Sequence, residues 1–179
     1  MRYAIISSKN TGNTNLLTEK VRDVLKGFSE STCTFSGCVQ EMTEDALTAD
    51  RIYVGFWTDK GMCDEVSGHL LSSLKNKEIF LFGSAGFGVD QAYFDQVLDK
   101  TKELIDPSNK VIGTFMCQGK MKQIVRDKYT EMLKGAKAAG DEKTVKTAEM
   151  LIKNFDMALS HPDLNDFENL ADTVIKKFY

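Results

Sequence analysis

Short apolar runs alternate with longer amphipathic stretches along this chain. The runs have the length and composition of buried strands, and five strands are predicted, at residues 3–6, 33–35, 52–56, 78–82 and 111–117. The stretches between them place apolar residues at helical spacing, as Leu17, Val21 and Leu25 do after the first run. Because strands that alternate with helices form a parallel sheet covered on both faces, the pattern predicts an α/β, doubly wound fold with a five-stranded parallel sheet.

The last third of the chain, after the fifth strand, is predicted to be helical. Two helical patterns lie between Gly119 and Leu159, and residues 135–141 are expected to separate them. Apolar residues at helical spacing predict a last helix. Asn165 and Glu168 at its start have the spacing of a capping box. We therefore expect residues 1–179 to form a single domain, with a helical insertion at about residues 120–159 before the last helix.

Charge and composition narrow the classes of protein that remain. The chain has 23 Lys and Arg against 26 Asp and Glu, so its net charge is −3, which argues against a nucleic-acid partner. A mildly acidic surface favours docking on a basic partner. No apolar run approaches the ~20 residues of a membrane span. The first run turns polar at Ser7, which is too early for a signal peptide.

The cysteines and histidines give little support to a metal or thiol site. The four cysteines contain no C-x-x-C pair, and only two histidines are available as metal ligands. We interpret the cysteines as structural thiols in a reducing compartment. The chain is therefore expected to be cytoplasmic, with no membrane and no metal.

A polar turn between the first strand and the first helix has the composition of a phosphate-binding site. It comprises Ser8, Lys9, Asn10, Thr11, Gly12, Asn13 and Thr14. Backbone amides at a helix N-terminus converge on a phosphate, and the helix dipole favours its negative charge. Hydroxyl groups add donors, and a glycine permits close backbone approach. The alternative is an ordinary helix cap made by Asn13 or Thr11. The chain has no Walker tripeptide, and the turn has no G-x-G-x-x-G fingerprint.

Two further polar segments follow the third and fourth strands. Each contains one aromatic residue, Trp57 or Phe87, among small residues and glycines. In an open α/β sheet, ligands bind outside the carboxyl ends of the strands. This composition suits a flat ring held between apolar walls. The alternative is that each aromatic side chain only closes the top of the core.

These segments together resemble the flavodoxin family. Residues 7–14 are similar to its phosphate loop, Ser/Thr-x-Thr-Gly-x-Thr, with Asn10 as an extra residue or Lys9 in place of the leading hydroxyl. Residues 82–88 are similar to its loop Phe-Gly-Ser-x-Gly-Trp-Gly. Residues 55–61, 117–120 and 161–163 resemble a flavodoxin-domain subfamily, of a type associated with bacterial bilirubin reductases. The resemblance covers nearly the whole chain.

The resemblance implies a flavodoxin-like strand order of 2-1-3-4-5 and an FMN cofactor. The phosphate would lie on residues 8–14, and the ring would lie between the segments after the third and fourth strands. The implied contacts there are Phe56, Trp57, Thr58, Asp59, Lys60 and Gly61, with Ser84, Ala85, Gly86, Phe87 and Gly88. The loop of Cys117, Gln118, Gly119 and Lys120 would border the ring or the ribityl chain. By the same resemblance, Gly61 is the candidate for a peptide that reorients beside flavin N5.

Three functions remain as hypotheses. The first is an FMN-binding electron-transfer protein that works between a reductase donor and an acceptor enzyme, favoured because no nucleophile or acid–base set is evident. The second is an FMN-dependent reductase or reductase component for a quinone or a linear tetrapyrrole. The third is a flavin-free interaction module. The Lys-rich helical insertion is a solvated face or a surface for docking or homodimer formation.

Overall fold

The computed structural model describes residues 1–9, 11–88 and 90–178, and its five longer strands alternate with helices. The strands are β1 (Arg2–Ser7), β2 (Thr32–Cys38), β3 (Arg51–Asp59), β4 (Met62–Cys63), β5 (Glu78–Ala85) and β6 (Lys110–Gln118). The helices are α1 (Asn13–Lys26), α2 (Glu44–Leu47), α3 (Glu65–Ser73), α4 (Gln91–Lys102), α5 (Gln123–Ala139), α6 (Glu142–Ala158) and α7 (Leu164–Phe178). A 3-10 turn covers Val39–Glu41.

Five strands form one parallel sheet in the order β2-β1-β3-β5-β6. The short strand β4 lies off this path and pairs antiparallel with the end of β3. When the five strands of this sheet are numbered along the chain without β4, their order in the sheet is 2-1-3-4-5. The predicted α/β, flavodoxin-like arrangement is therefore confirmed. The order reverses beside β1, and such a reversal leaves a crevice at the carboxyl ends of the strands.

Helices cover both faces of this sheet, and successive strand residues alternate between them. Ile5 belongs to the cluster with Leu17 of α1 and Leu170 of α7. Ile6 belongs to the cluster on the other face, which includes residues of α2, α3 and α4. Both isoleucines have no exposed surface. This burial on two faces explains why the central strands read as continuous apolar runs.

The structure corrects the predicted boundary inside the helical insertion. Helix α5 continues through Gly135 and ends at Gly140, which has a φ of 67°. A glycine in the left-handed region is a common end of a helix because it carries no Cβ. Asp141 then begins α6 by accepting a hydrogen bond from the Thr144 amide at 3.1 Å.

The capping box of the last helix also differs from the prediction. Asp163 Oδ1 accepts a hydrogen bond from the Asp166 amide at 3.0 Å, and Asp166 Oδ2 accepts one from the Asp163 amide at 2.9 Å. The box therefore lies two residues before Asn165 and Glu168, because the helix itself begins at Leu164. None of the helices in the described ranges is both long enough and apolar enough to cross a membrane.

Candidate functional site

A cleft of about 350 Å³ opens at the carboxyl ends of β1, β3, β5 and β6. Four segments that are distant in sequence meet there, because parallel strands all end at the same edge of the sheet. The cleft is lined by Thr11, Asn13, Trp57, Thr58, Lys60, Gly61, Ser84, Gly86, Phe87, Tyr93, Lys120, Met121, Lys122 and Val125.

The turn after β1 leaves the N-terminus of α1 available to a ligand. Gly12 is the N-cap residue, with a φ of 95°, and no side chain among the described residues caps the first turn. The side chain of Asn13 does not act as the cap. Its Nδ2 donates to Thr11 Oγ1 at 2.7 Å and to the Lys120 carbonyl at 2.9 Å, and its Oδ1 accepts from the Lys120 amide at 3.2 Å. Asn13 therefore joins the first turn of α1 to the segment after β6.

Ser8 and Lys9 are turned to other partners. The buried Ser8 hydroxyl donates to Asp64 Oδ2 at 2.6 Å. Asp64 is the N-cap of α3 and also accepts from the Ser67 amide at 3.1 Å and the Ser67 hydroxyl at 2.9 Å. Lys9 Nζ lies 3.5 Å from a Glu41 carboxylate oxygen. Asn10 lies outside the described residues. Asp64 thus fixes the end of β1 against the start of α3.

The segment Trp57–Cys63 is a regular hairpin, not the irregular loop that the sequence predicts. Thr58 and Asp59 pair antiparallel with Cys63 and Met62. The two residues of the turn both have positive φ, 48° at Lys60 and 81° at Gly61. This is the backbone of a type I′ turn, which favours glycine at its second position. The Thr58 hydroxyl donates to the Ser84 carbonyl at 3.0 Å and so ties the hairpin to β5.

The end of β5 supplies an aromatic wall and a close backbone approach. Phe87 is 37% exposed and packs edge to face with Tyr93, with ring centroids 5.6 Å apart. A Cβ at Gly86 would lie only 2.3 Å from Cγ of Met121, so only glycine leaves room for that side chain. Met121 therefore lies directly over the backbone of the β5 segment.

The helical insertion is attached to this edge of the sheet through Asn154 of α6. Asn154 Nδ2 donates to the Gly86 carbonyl at 3.0 Å, and Asn154 Oδ1 accepts from Gln118 Nε2 at 3.0 Å. Gln118 Nε2 also lies 3.2 Å from the Gly86 carbonyl. Asn154 and Gln118 are 5% and 6% exposed. This buried network holds α6 against the ends of β5 and β6.

Cys117 does not have the environment of a reactive thiol. It is 3% exposed and lies in the core cluster with Phe82 and Phe115. Burial, followed by the nearby carboxylates of Asp166 and Asp163, raises its pKa far above the usual range. A protonated, inaccessible thiol is a poor nucleophile. Cys117 is therefore a structural residue.

The cleft gathers ten of the residues predicted from the sequence. These are Thr11, Asn13, Trp57, Thr58, Lys60, Gly61, Ser84, Gly86, Phe87 and Lys120. Phe56 is a fully buried core residue, and Asp59 lines a neighbouring cavity. The other described candidates lie around the cleft without lining it: Ser8, Lys9, Gly12, Thr14, Ala85, Gly88, Cys117, Gln118 and Gly119. Gly119 still matters, because a Cβ there would lie 2.5 Å from Asn13 Nδ2.

Four lining residues were not predicted from the sequence. They are Tyr93, Met121, Lys122 and Val125. Met121 directly follows the last predicted residue, Lys120, whereas Tyr93 and Val125 come from the first turns of α4 and α5. Their position in the sequence could have identified them, because a helix that starts beside the carboxyl edge of the sheet presents its first turn to the ligand.

The lining suits a ligand with an anionic end and a flat apolar part. The start of α1 offers amide groups and the positive end of a helix dipole. Trp57, Phe87 and Tyr93 offer aromatic surface, and Gly61 and Gly86 expose backbone groups at its edge. Among the described lining residues there is no Asp, Glu, His or Cys. The described lining therefore offers no carboxylate, imidazole or thiol to a ligand. FMN, a phosphate monoester attached to a flat ring, fits this division.

Comparisons with known proteins agree with this geometry. The family model of the flavodoxin domain matches residues 4–175. A flavodoxin-like domain-containing protein BilS from Clostridium symbiosum (strain WAL-14163) is 38% identical over 177 residues, covering 93% of this chain and 90% of the relative. A protein of the same name from Clostridioides difficile (strain CD3) is 30% identical over 166 residues, covering 91% and 88%.

A solved structure shows the same fold at lower sequence identity. It is the solution structure of two-electron reduced Megasphaera elsdenii flavodoxin, with a TM-score of 0.50 and 21% identity. The match covers 64% of this chain and 84% of that one. The likeness extends to the fold alone.

Proposed function

Because this chain belongs to the flavodoxin domain family, we propose that it binds FMN and transfers electrons from a reductase to an acceptor enzyme. The observation that carries the proposal is the cleft in which the segments after β1, β3, β5 and β6 meet. Its lining combines an uncapped helix N-terminus, which suits the phosphate of FMN, with an aromatic wall, which suits the flavin ring.

The FMN phosphate would be held at the start of α1. The amides of the first helical turn and the Thr11 hydroxyl are the donors that this segment offers. The Asn13 side chain keeps the turn in place through its hydrogen bonds to the Lys120 backbone. A buried phosphate oxygen needs such donors, since a charged group without partners is costly to bury.

The flavin ring would lie between the β3–β4 hairpin and the end of β5. The hydrogen bond from Thr58 to the Ser84 carbonyl sets the spacing of these two walls. When bound, the flavin supplies the redox chemistry, and the chain orients it and limits the access of water. The Lys60–Gly61 peptide is our candidate for the backbone group that reorients beside the ring, because glycine changes φ at low cost.

A visible spectrum recorded during stepwise anaerobic reduction tests this function. We expect the purified protein, supplied with FMN, to hold one flavin per chain and to take up and release electrons reversibly. A colourless protein that does not bind added FMN would contradict the proposal and favour a flavin-free interaction module. Rapid reduction by NAD(P)H with turnover of a quinone or a linear tetrapyrrole would instead assign a reductase.

A matched pair of variants tests the placement of the phosphate. Thr11→Val removes a hydroxyl from the cleft, and we expect the Kd for FMN to rise about tenfold, the effect of losing one hydrogen bond to a charged group. Thr147→Val removes a hydroxyl on the exposed side of α6, where it donates to the Lys143 carbonyl. FMN titration should give the wild-type Kd for Thr147→Val. Equal Kd values for both variants would remove Thr11 from the site.

A further inference from the structure

The rim of the cleft carries the opposite charge to the molecule as a whole. The chain has a net charge of −3. The cleft is nevertheless lined by Lys60, Lys120 and Lys122, and by no carboxylate among the described residues. We call these three lysines the lysine rim. Because charge is screened over roughly 8 Å in physiological salt, a partner that approaches the cleft responds to this local charge more than to the net charge.

The three lysines of the rim come from different places in the fold. Lys60 occupies the turn of the β3–β4 hairpin, Lys120 follows β6, and Lys122 is the N-cap residue of α5. All three are exposed, and within the described ranges none lies in an ion pair. The backbone of Lys120 is held by the Asn13 side chain: the Lys120 amide donates to Asn13, and the Lys120 carbonyl accepts from it. The backbone of Lys120 is therefore fixed by the fold, and no carboxylate of the described residues forms an ion pair with any of the three lysines.

Bound FMN would leave positive charge on the rim. A phosphate monoester carries at most about two negative charges near neutral pH, and the rim carries three positive ones. Lys100 adds a fourth charge near the hairpin, since its Nζ lies 3.7 Å from the position that a Gly61 Cβ would occupy. The rim thus exceeds what the cofactor itself requires.

Apolar residues line the cleft together with the lysine rim. They are Phe87, Met121 and Val125, and Phe87 is 37% exposed. An apolar centre with a charged border is the usual anatomy of a protein interface.

We propose that the lysine rim docks an acidic patch on a protein redox partner, with Phe87 and Met121 in the apolar centre of the contact. The proposal rests on the proposed function for the role of that partner as electron donor or acceptor. Complementary charge at the rim would steer the partner so that its own redox centre approaches the flavin edge. The partner is accordingly expected to be acidic at the contact, although the net charge of this chain favours a basic one.

Binding of an acidic probe tests the rim without needing the physiological partner. The probe is a fluorescein-labelled polyglutamate peptide, and the readout is fluorescence anisotropy at low salt. The test variant is K60Q/K120Q/K122Q. The matched control is K143Q/K146Q/K153Q, which changes the net charge equally on three exposed lysines of α6. Unfolding midpoints of both variants establish that they fold.

We expect the rim variant to bind the peptide about tenfold more weakly than wild type, since three exposed ion pairs are lost, and the α6 variant to match wild type. Binding by wild type should disappear in about 1 M salt, where charges are screened beyond roughly 3 Å. Equal loss in both variants, or no binding by wild type, would overturn the proposal. The peptide needs no flavin, so a protein that binds it but not FMN would refute the proposed function and leave the rim standing.

Discussion

Single buried polar residues hold the cleft together by joining segments that are far apart in sequence. Asp64 ties Ser8 at the end of β1 to the first turn of α3. Asn13 ties the start of α1 to Lys120. Both side chains have 6% or less of their surface exposed, so each hydrogen bond is made in a poorly solvated place. Removing the Asp64 carboxylate would leave the buried Ser8 hydroxyl without its hydrogen bond, which costs about 1–3 kcal/mol.

At this scale, Gly12→Ala tests the backbone of the phosphate turn. A Cβ at Gly12 has open space around it, so the change acts only through its φ of 95°. We expect the free energy of unfolding to fall by about 1–2 kcal/mol, the cost of the left-handed region for a residue with a Cβ. FMN affinity should fall as well if the turn relaxes. Urea unfolding and FMN titration measure the two effects.

Gly135→Ala is the control for Gly12→Ala. Gly135 also has open space at its Cβ, but it lies inside α5. Alanine there should stabilise the protein by up to about 1 kcal/mol because it favours the helix. If both variants changed stability in the same direction, the left-handed strain at Gly12 would not be the cause.

Among the elements, the β3–β4 hairpin and the α5–α6 pair close the cleft on two sides. The hairpin is anchored on α4, because Thr101 Oγ1 accepts a hydrogen bond from the Cys63 amide at 3.0 Å. The helical pair is anchored through Asn154 and is held internally by Arg126, which lies 2.8 Å from Asp156. These contacts hold in place the two elements that carry the lining residues.

Gly61→Ala tests whether the hairpin turn responds to the flavin. Alanine is strained at a φ of 81°, and its peptide would reorient less readily. We expect the gap between the two one-electron potentials of bound FMN to narrow, with a smaller change in FMN affinity. Redox titration measures both potentials.

Gly140→Ala is the control for Gly61→Ala. It places the same kind of strain, at a φ of 67°, at the end of α5 and outside the cleft lining. It should lower stability and leave the potentials unchanged. If the difference between the two one-electron potentials were unchanged in Gly61→Ala, the Lys60–Gly61 peptide would not be the group that responds to the flavin.

Asn154→Ala tests the attachment of the helical insertion. The change removes the side-chain hydrogen bonds from Asn154 to the Gly86 carbonyl and to Gln118, both in a buried place, so we expect a loss of about 1–3 kcal/mol in the free energy of unfolding. FMN binding should weaken too, because the β5 segment loses a support. Asn165→Ala, on the exposed start of α7, is the control and should be neutral. Equal stability of the two variants would contradict the role of Asn154.

Over the whole molecule, two buried thiols predict a loss of stability at high pH. Burial raises the pKa of Cys63 to about 11, and it raises the pKa of Cys117 further. Both values lie above the ordinary thiol value of 9.0, so above that pH the unfolded chain binds fewer protons than the folded one. Stability is therefore complete below about pH 9 and decreases as pH rises towards the folded pKa values.

Urea unfolding under reducing conditions, at several pH values from neutral to alkaline, measures this loss. Each thiol contributes a decrease of up to about 1.4 kcal/mol per pH unit above pH 9. Cys117→Ala should make the decrease less steep, because it removes one of the two buried thiols. A constant free energy of unfolding across this pH range would contradict the prediction.

The sequence by itself determined the element types and the position of the binding edge. The period of apolar residues is a property of neighbours in the chain, so five strands and their helices could be predicted from it. The polar turn before α1 was predictable for the same reason, and Thr11 and Asn13 of that turn line the cleft. The strand order, confirmed in the sheet, followed from the family resemblance of these local motifs.

Only the tertiary structure decided how these parts meet. The hairpin at Lys60–Gly61, the link from Asn154 to Gly86 and the turn of Ser8 towards Asp64 all join residues whose partners local periodicity cannot identify. The lysine rim is a further case, because the net charge of −3 averages over a surface on which three lysines are brought to one edge. Secondary structure depends on neighbours in sequence, whereas the charge and shape of the cleft depend on packing between distant segments.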